Sequence, residues 1–138
     1  MMEAYRQALN EAAQFIKEND HFLILSHVYP DGDAIGSSLG MAHLLRGLKK
    51  NYWVVNEGPL PERFSFLSGY EQLTLLQDVS PEKRFDYVIA VDVADEERMG
   101  DLAHLLGPSV KVLNIDHHPT NTRFGTINLV WPQAASTT

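Results

Sequence analysis

Near the start of the chain, apolar positions recur at three- and four-residue steps: Tyr5, Ala8, Leu9, Ala12, Phe15 and Ile16. That spacing lines one face of a helix. Phe22-Leu23-Ile24-Leu25 follows as an unbroken apolar run, the pattern of a strand buried on both faces. Ser26 to Asp33 is polar, and Pro30 and Gly32 mark it as a loop. From Ala34 to Leu48 a second helical stripe is carried by Ile35, Leu39, Ala42, Leu45 and Leu48. Tyr52-Trp53-Val54-Val55 reads as a second strand.

The stretch from Glu57 to Gln77 has no clear period. Pro59 and Pro61 bracket a turn, Glu62 to Leu67 suits a short helix, and Leu73 to Leu76 fits strand or helix. Tyr87 to Val91 is a third buried strand. Leu102 to Leu106 reads as the last turns of a helix closed by Gly107-Pro108, a common helix ending. Val110 to Ile115 makes a fourth strand and Ile127 to Val130 a shorter fifth. This alternation predicts an α/β fold, with a mainly parallel sheet and helices on both faces. The 138 residues fit one domain spanning residues 1–138. Ala134-Ala135-Ser136-Thr137-Thr138 resembles the start of a further helix, so more chain is expected downstream.

Composition narrows the chemistry. Hydrophobic residues make up 44% and charged residues 21%, which suits a packed globular domain. No apolar run approaches the ~20 residues of a membrane span. Glu3, Arg6 and Glu11 interrupt any signal-peptide core. Eighteen acids against eleven Lys and Arg give a net charge of −7. Such a chain is a poor non-specific binder of long DNA or RNA, whose affinity comes from phosphate neutralisation. Cysteine is absent, which removes disulfides, thiolate metal sites and thiol nucleophiles. A cytoplasmic domain working through carboxylates, imidazoles and hydroxyls is the expectation.

Those groups fall in a telling place. His27 closes the first strand, Asp92 the third, and Asp116-His117-His118 the fourth. In open α/β sheets ligands bind at the carboxyl ends of the strands. Asp31 and Asp33 join from the loop after the first strand. Each feature alone has an ordinary reading: Asp-Gly-Asp as a turn with Asp33 capping the following helix, Asp92 as a loop cap, paired histidines as surface residues. Together, four carboxylates and three imidazoles at one edge repel one another unless a cation lies between them. Bound divalent metal is the simplest answer.

Competing motifs fail on spacing. An EF-hand loop begun at Asp31 would place Ile35 at position five and Ala42 at position twelve, where a bidentate Glu is needed. A phosphoaspartate nucleophile should leave its strand directly, whereas Val28-Tyr29-Pro30 intervenes before Asp31. No phosphate loop of the GxxxxGK type is present, and no GxGxxG follows a strand. Gly36-Ser37-Ser38 lies near a helix start, where a substrate phosphate could meet Ser37; close packing of small residues is the equal alternative. His21, His43 and His104 read as surface or core residues. Asp95-Glu96-Glu97 reads as a solvated helix start, with Asp95 near the reactive edge. Asp78, Asp86 and Glu57 fit no pattern.

Three ordered segments, Ser26-His27-Val28-Tyr29-Pro30-Asp31-Gly32-Asp33-Ala34-Ile35-Gly36-Ser37, Val91-Asp92-Val93-Ala94-Asp95 and Asp116-His117-His118, resemble the first three motifs of the DHH phosphoesterase family. Asp116 to Asn121, with Phe124-Gly125, Asn128 and Ala134 to Thr138, is similar to the bacterial nanoRNase and pAp-phosphatase branch. The resemblance implies two metal ions, usually manganese. His27, Asp31 and Asp92 would bind the first, and Asp33, Asp92 and His117 the second, with Asp92 bridging. It implies that His118 contacts the substrate phosphate and that Asp116 orients its neighbours. Mixed imidazole and carboxylate donors suit manganese better than magnesium.

The implied reaction is in-line attack on phosphorus by a hydroxide bridging the metals. The implied substrates are short oligoribonucleotides or 3′,5′-bisphosphate nucleotides such as pAp. Cyclic dinucleotides, inorganic pyrophosphate and single-stranded ends are alternatives within the family, and a non-catalytic nucleotide- or metal-binding module is an alternative of another class. Small nucleotides, not membranes or long duplexes, are the expected partners, and paired subunits are common in the family. The family's fourth Asp motif and its C-terminal substrate-binding domain do not occur in these 138 residues, so this piece alone is expected to be a poor catalyst.

Overall fold

Phe22–Leu25 forms strand β1, every residue of it buried. In the computed structural model, which describes residues 2–138, it sits inside a six-stranded sheet. Helix α1 spans Met2–Glu18, helix α2 Gly32–Gly47, strand β2 Tyr52–Asn56, β3 Leu73–Leu75, β4 Phe85–Val91, β5 Leu106–Asp116 and β6 Ile127–Val130. Short 3-10 segments occupy Glu62–Phe64, Tyr70–Gln72, Leu76–Asp78 and Glu96–Leu105.

The strand order is β3-β2-β1-β4-β5-β6, and every pairing is parallel. The chain builds outward from β1 through β2 to β3. It then returns to lay β4 on the other side of β1, and continues through β5 to β6. The direction of winding reverses between β1 and β4, which opens a crevice beyond their carboxyl ends.

Alternating residues of each strand serve two cores. Phe22, Ile24, Val54, Ile89 and Leu113 pack with Ala12, Phe15 and Ile16 of α1 and with Ala42 and Leu45 of α2. Leu23, Leu25, Val88, Ala90 and Val112 pack with Met99, Leu102 and Leu105 on the opposite face. Both faces are therefore covered, one by α-helices and the other by 3-10 turns. The apolar spacing of three at Met99, Leu102 and Leu105 matches a 3-10 period.

Several sequence expectations need correction. Helix α2 ends at Gly47 and Leu48 is 45% exposed, so the buried stripe stops at Leu45. The short helix expected at Glu62 to Leu67 is a 3-10 turn over Glu62–Phe64. Leu73 to Leu75 is strand, pairing with Val54 to Asn56. Gly107-Pro108 does not close a helix, because β5 already starts at Leu106. Leu106 pairs with Phe85, and the register then shifts before Tyr87 meets Lys111. Such an irregularity tolerates a proline that cannot donate to the ladder. Ala134 to Thr138 holds bends and coil, not a helix, and its last two residues are tied to Asp33.

Candidate metal centre

The carboxyl ends of β1, β4 and β5 bring the expected side chains together. His27, two residues beyond β1, places Nε2 3.3 Å from Asp92 Oδ2 and 3.7 Å from Asp31 Oδ1. Asp92 follows β4 directly and is 2% exposed. Its backbone is left-handed at φ 62°, a conformation uncommon for residues other than glycine, Asn and Asp. His117 Nε2 lies 3.5 Å from Asp33 Oδ2 and 3.8 Å from Asp92 Oδ1.

Two groups of donor atoms result, His27 with Asp31 and Asp92, and Asp92 with His117 and His118. Asp92 belongs to both. Asp33 joins through His117, while its own oxygens also accept from the backbone of Thr137 and Thr138 at 2.9 and 2.8 Å.

The imidazoles are oriented by their second nitrogens. His27 Nδ1 meets Val28 O at 2.7 Å, and His117 Nδ1 meets Ala134 O at 3.2 Å. A carbonyl only accepts, so both Nδ1 atoms carry hydrogen and both Nε2 atoms face the carboxylates. This is the usual arrangement of a metal-binding histidine. His118 differs. Its Nδ1 meets Asp116 Oδ1 at 2.6 Å, and Asp116 Oδ2 accepts from Asn121 at 2.8 Å. The His118 nitrogen nearest Asp92, at 3.8 Å, is that same Nδ1, so the atom facing the donor group is already held by Asp116 and Nε2 is the ring's remaining nitrogen. Asp116 is buried, belongs to neither donor group and turns Oδ1 to the His118 ring, the placement of a residue that orients that ring.

Electrostatics agree with a site made for positive charge. The hydrogen bond to Asp92 raises His27 to about 9 against the opposing effect of burial, helped by Val28 O and by the charges of Asp92 and Asp31. Burial works to raise Asp33, but the Thr138 hydroxyl, the N–H groups of Thr137 and Thr138, and the Ser37 hydroxyl outweigh it and lower Asp33 to about 2. Hydrogen bonding to the charged form explains that direction.

Other expectations resolve individually. Asp31, not Asp33, caps α2, accepting from Ala34 N at 2.9 Å. The turn reading and the site reading of this loop thus coexist in one residue. Ser37 sits at the site with its hydroxyl 3.2 Å from Asp33 Oδ1. Gly36 to Ser38 lie beyond the first turn of α2, where backbone N–H groups are already bonded within the helix, so no free anion cradle exists there. Asp95 caps the 3-10 segment from Arg98 N and takes no part in the centre. His21, His43 and His104 lie outside it, all exposed.

Asn121, Thr137 and Thr138 entered the sequence reading only as part of the family resemblance, with no role, and Asn114 did not enter it at all. Thr137 Oγ1 donates to Asp92 Oδ1 at 3.0 Å. For Asn114 a signal existed, since an amide within the apolar run of a buried strand demands hydrogen-bond partners.

Residues 21–138 match the DHH family, N-terminal domain. The chain is 41% identical over 118 residues to the bifunctional oligoribonuclease and PAP phosphatase NrnA of Thermus thermophilus, covering 83% of this chain and 33% of that protein. It is 30% identical over 144 residues to the cyclic-di-AMP phosphodiesterase PdeA of Listeria monocytogenes, covering 95% and 21%. An exopolyphosphatase-related protein from Bacteroides fragilis superposes with a TM-score of 0.85 at 27% identity, over 96% of this chain and 41% of that one. The chain spans about a third of the length of the Thermus relative.

Proposed function

We infer, from the premise that this chain belongs to the DHH family by its match over residues 21–138, that the protein it helps to build is a metal-dependent phosphoesterase acting on short oligoribonucleotides and 3′,5′-bisphosphate nucleotides. The observation that carries this reading is Asp92, which faces His27 at 3.3 Å and both His117 and His118 at 3.8 Å. The donor set fits divalent metal, with the Nε2 atoms of His27 and His117 aimed at carboxylates, an exposed Asp31 and a buried carboxylate shared by two groups. His27, Asp31 and Asp92 would hold one ion, and Asp33, Asp92 and His117 a second; manganese suits this mixture of nitrogen and oxygen donors. Such ions, when bound, stabilise charge on phosphoryl oxygens and activate water at neutral pH.

The chain's own residues supply orientation and proton placement. Val28 O and Ala134 O hold the rings of His27 and His117 in one tautomer. Asp116 fixes the ring of His118 through Nδ1. A second proton on that ring would lie on Nε2 and donate to a phosphoryl oxygen. Ser37 steadies Asp33 through its hydroxyl, 3.2 Å from Oδ1. The similarity to NrnA favours linear substrates, and the similarity to PdeA makes cyclic dinucleotides the rival.

The full-length gene product, assayed with manganese, should hydrolyse pAp and di- to pentaribonucleotides faster than cyclic dinucleotides or pyrophosphate. A strong preference for a cyclic dinucleotide would replace the substrate assignment. Absence of metal-dependent hydrolysis on all of them would overturn the reading itself.

A further inference from the structure

Asn114 lies in β5 opposite Ala90 of β4 and is fully buried. Its amide gives both hydrogens to main-chain carbonyls, Ala90 O at 3.2 Å and Val93 O at 3.1 Å. These two carbonyls flank the strained turn at Asp92. A positive φ at a residue other than glycine carries a cost that its surroundings offset, and the two bonds from Asn114 hold the backbone on either side of Asp92 in that conformation. Asn114 Oδ1 accepts in turn from Asn121 Nδ2 at 2.8 Å. The same amide group of Asn121 donates to Asp116 Oδ2 at 2.8 Å and lies 3.2 Å from Val93 O. Asp116 then holds His118.

One unbroken series of hydrogen bonds therefore joins the turn bearing Asp92 to the ring of His118, through two amides that touch neither centre directly. Packing alone gives no reason for an amide at position 114. Leucine has nearly its size and no buried polar atoms to satisfy.

We propose that Asn114 and Asn121 are positioning residues: Asn114 sets the Asp92 carboxylate by bracketing its turn, and Asn121 sets His118 by holding Asp116. This rests on the phosphoesterase reading. The two roles are separable. Asn114 acts one step from the shared metal ligand, whereas Asn121 acts through Asp116 on the group that meets phosphate.

The test uses the full-length gene product, with manganese binding measured by calorimetry, pAp hydrolysis by steady-state kinetics and folded fraction by circular dichroism. Asn121→Ala should lower kcat about 10–100-fold, the usual range for a residue supporting a metal site, with KM and manganese affinity nearly unchanged. Asn114→Leu should weaken manganese binding by a factor in that same range, about 10–100-fold. If Asn114→Leu does not fold, Asn121→Ala, in a loop outside the sheet, decides alone. A wild-type kcat in Asn121→Ala, or a loss no larger than the loss of folded protein, overturns the proposal. An active wild type with unaltered variants defeats only this inference, whereas a wild type without manganese-dependent turnover defeats the phosphoesterase reading as well.

Discussion

His27 Nε2 stands 3.3 Å from Asp92 Oδ2 across the point where the sheet reverses its winding. The two residues close neighbouring parallel strands, β1 and β4. Their pairing needs no long side chain, because the topology delivers both to one crevice. A proton on His27 satisfies Asp92 in protein prepared without metal, and under the proposed function a divalent cation would compete for the same place.

That competition sets a pH dependence. His27 is raised to about 9 by its bond to Asp92, so metal binding at pH 7 must displace a proton. Manganese affinity should rise about tenfold per pH unit up to roughly pH 9 from this residue alone. Calorimetry at pH 7 in buffers of different ionisation enthalpy should show about one proton released per chain from it. His27→Gln should remove that release.

The same shift affects folding in the opposite sense. A raised histidine contributes stability that is present below its unfolded value of 6.5 and is lost as pH rises through about 9. Asp33, lowered to about 2 from 3.8, contributes stability present above 3.8 and lost as pH falls through about 2. Melting temperatures of chelator-treated protein should therefore decline between pH 6.5 and 9, and His27→Gln should flatten that decline.

Gly100 connects the 3-10 cover to the site. Its backbone, at φ 57° and ψ −137°, suits glycine, and a Cβ there would run into the Glu57 carboxylate and the Val28 side chain. Val28 O is the group that orients His27. Gly100→Ala should cost at least about 2 kcal/mol in urea unfolding and weaken manganese binding through the displaced Val28.

The core makes a sharper distinction than the apolar spacing did. Leu45 is fully buried against the sheet, whereas Leu48 lies outside it. Leu45→Ala should lose about 2–5 kcal/mol, and Leu48→Ala about 0.5 kcal/mol or less. Equal losses would contradict the helix end at Gly47.

The parallel sheet was legible because Phe22 to Leu25 and Tyr87 to Val91 are apolar without alternation, the pattern of strands buried on both faces. The metal-site candidates were legible for a related reason. His27, Asp92 and the Asp116-His117-His118 run each stand where such a run stops. What stayed hidden depends on contacts between segments distant in the chain. Thr137 and Thr138 reach Asp33 only because the turn after β6 folds back across the sheet edge. Asn114 acts through carbonyls of another strand. The 3-10 cover over Glu96–Leu105 was obscured because Gly100 breaks the segment and its spacing of three imitates a fragment of α-helix.

Asp92 is the residue on which both donor groups depend, and asparagine tolerates its left-handed backbone without the charge. Electron paramagnetic resonance of manganese titrated into the full-length wild type and its Asp92→Asn variant tests the site most directly. The wild type should draw manganese out of its free signal, and the variant should leave that signal undiminished. Equal uptake by both proteins would contradict a metal centre built on Asp92.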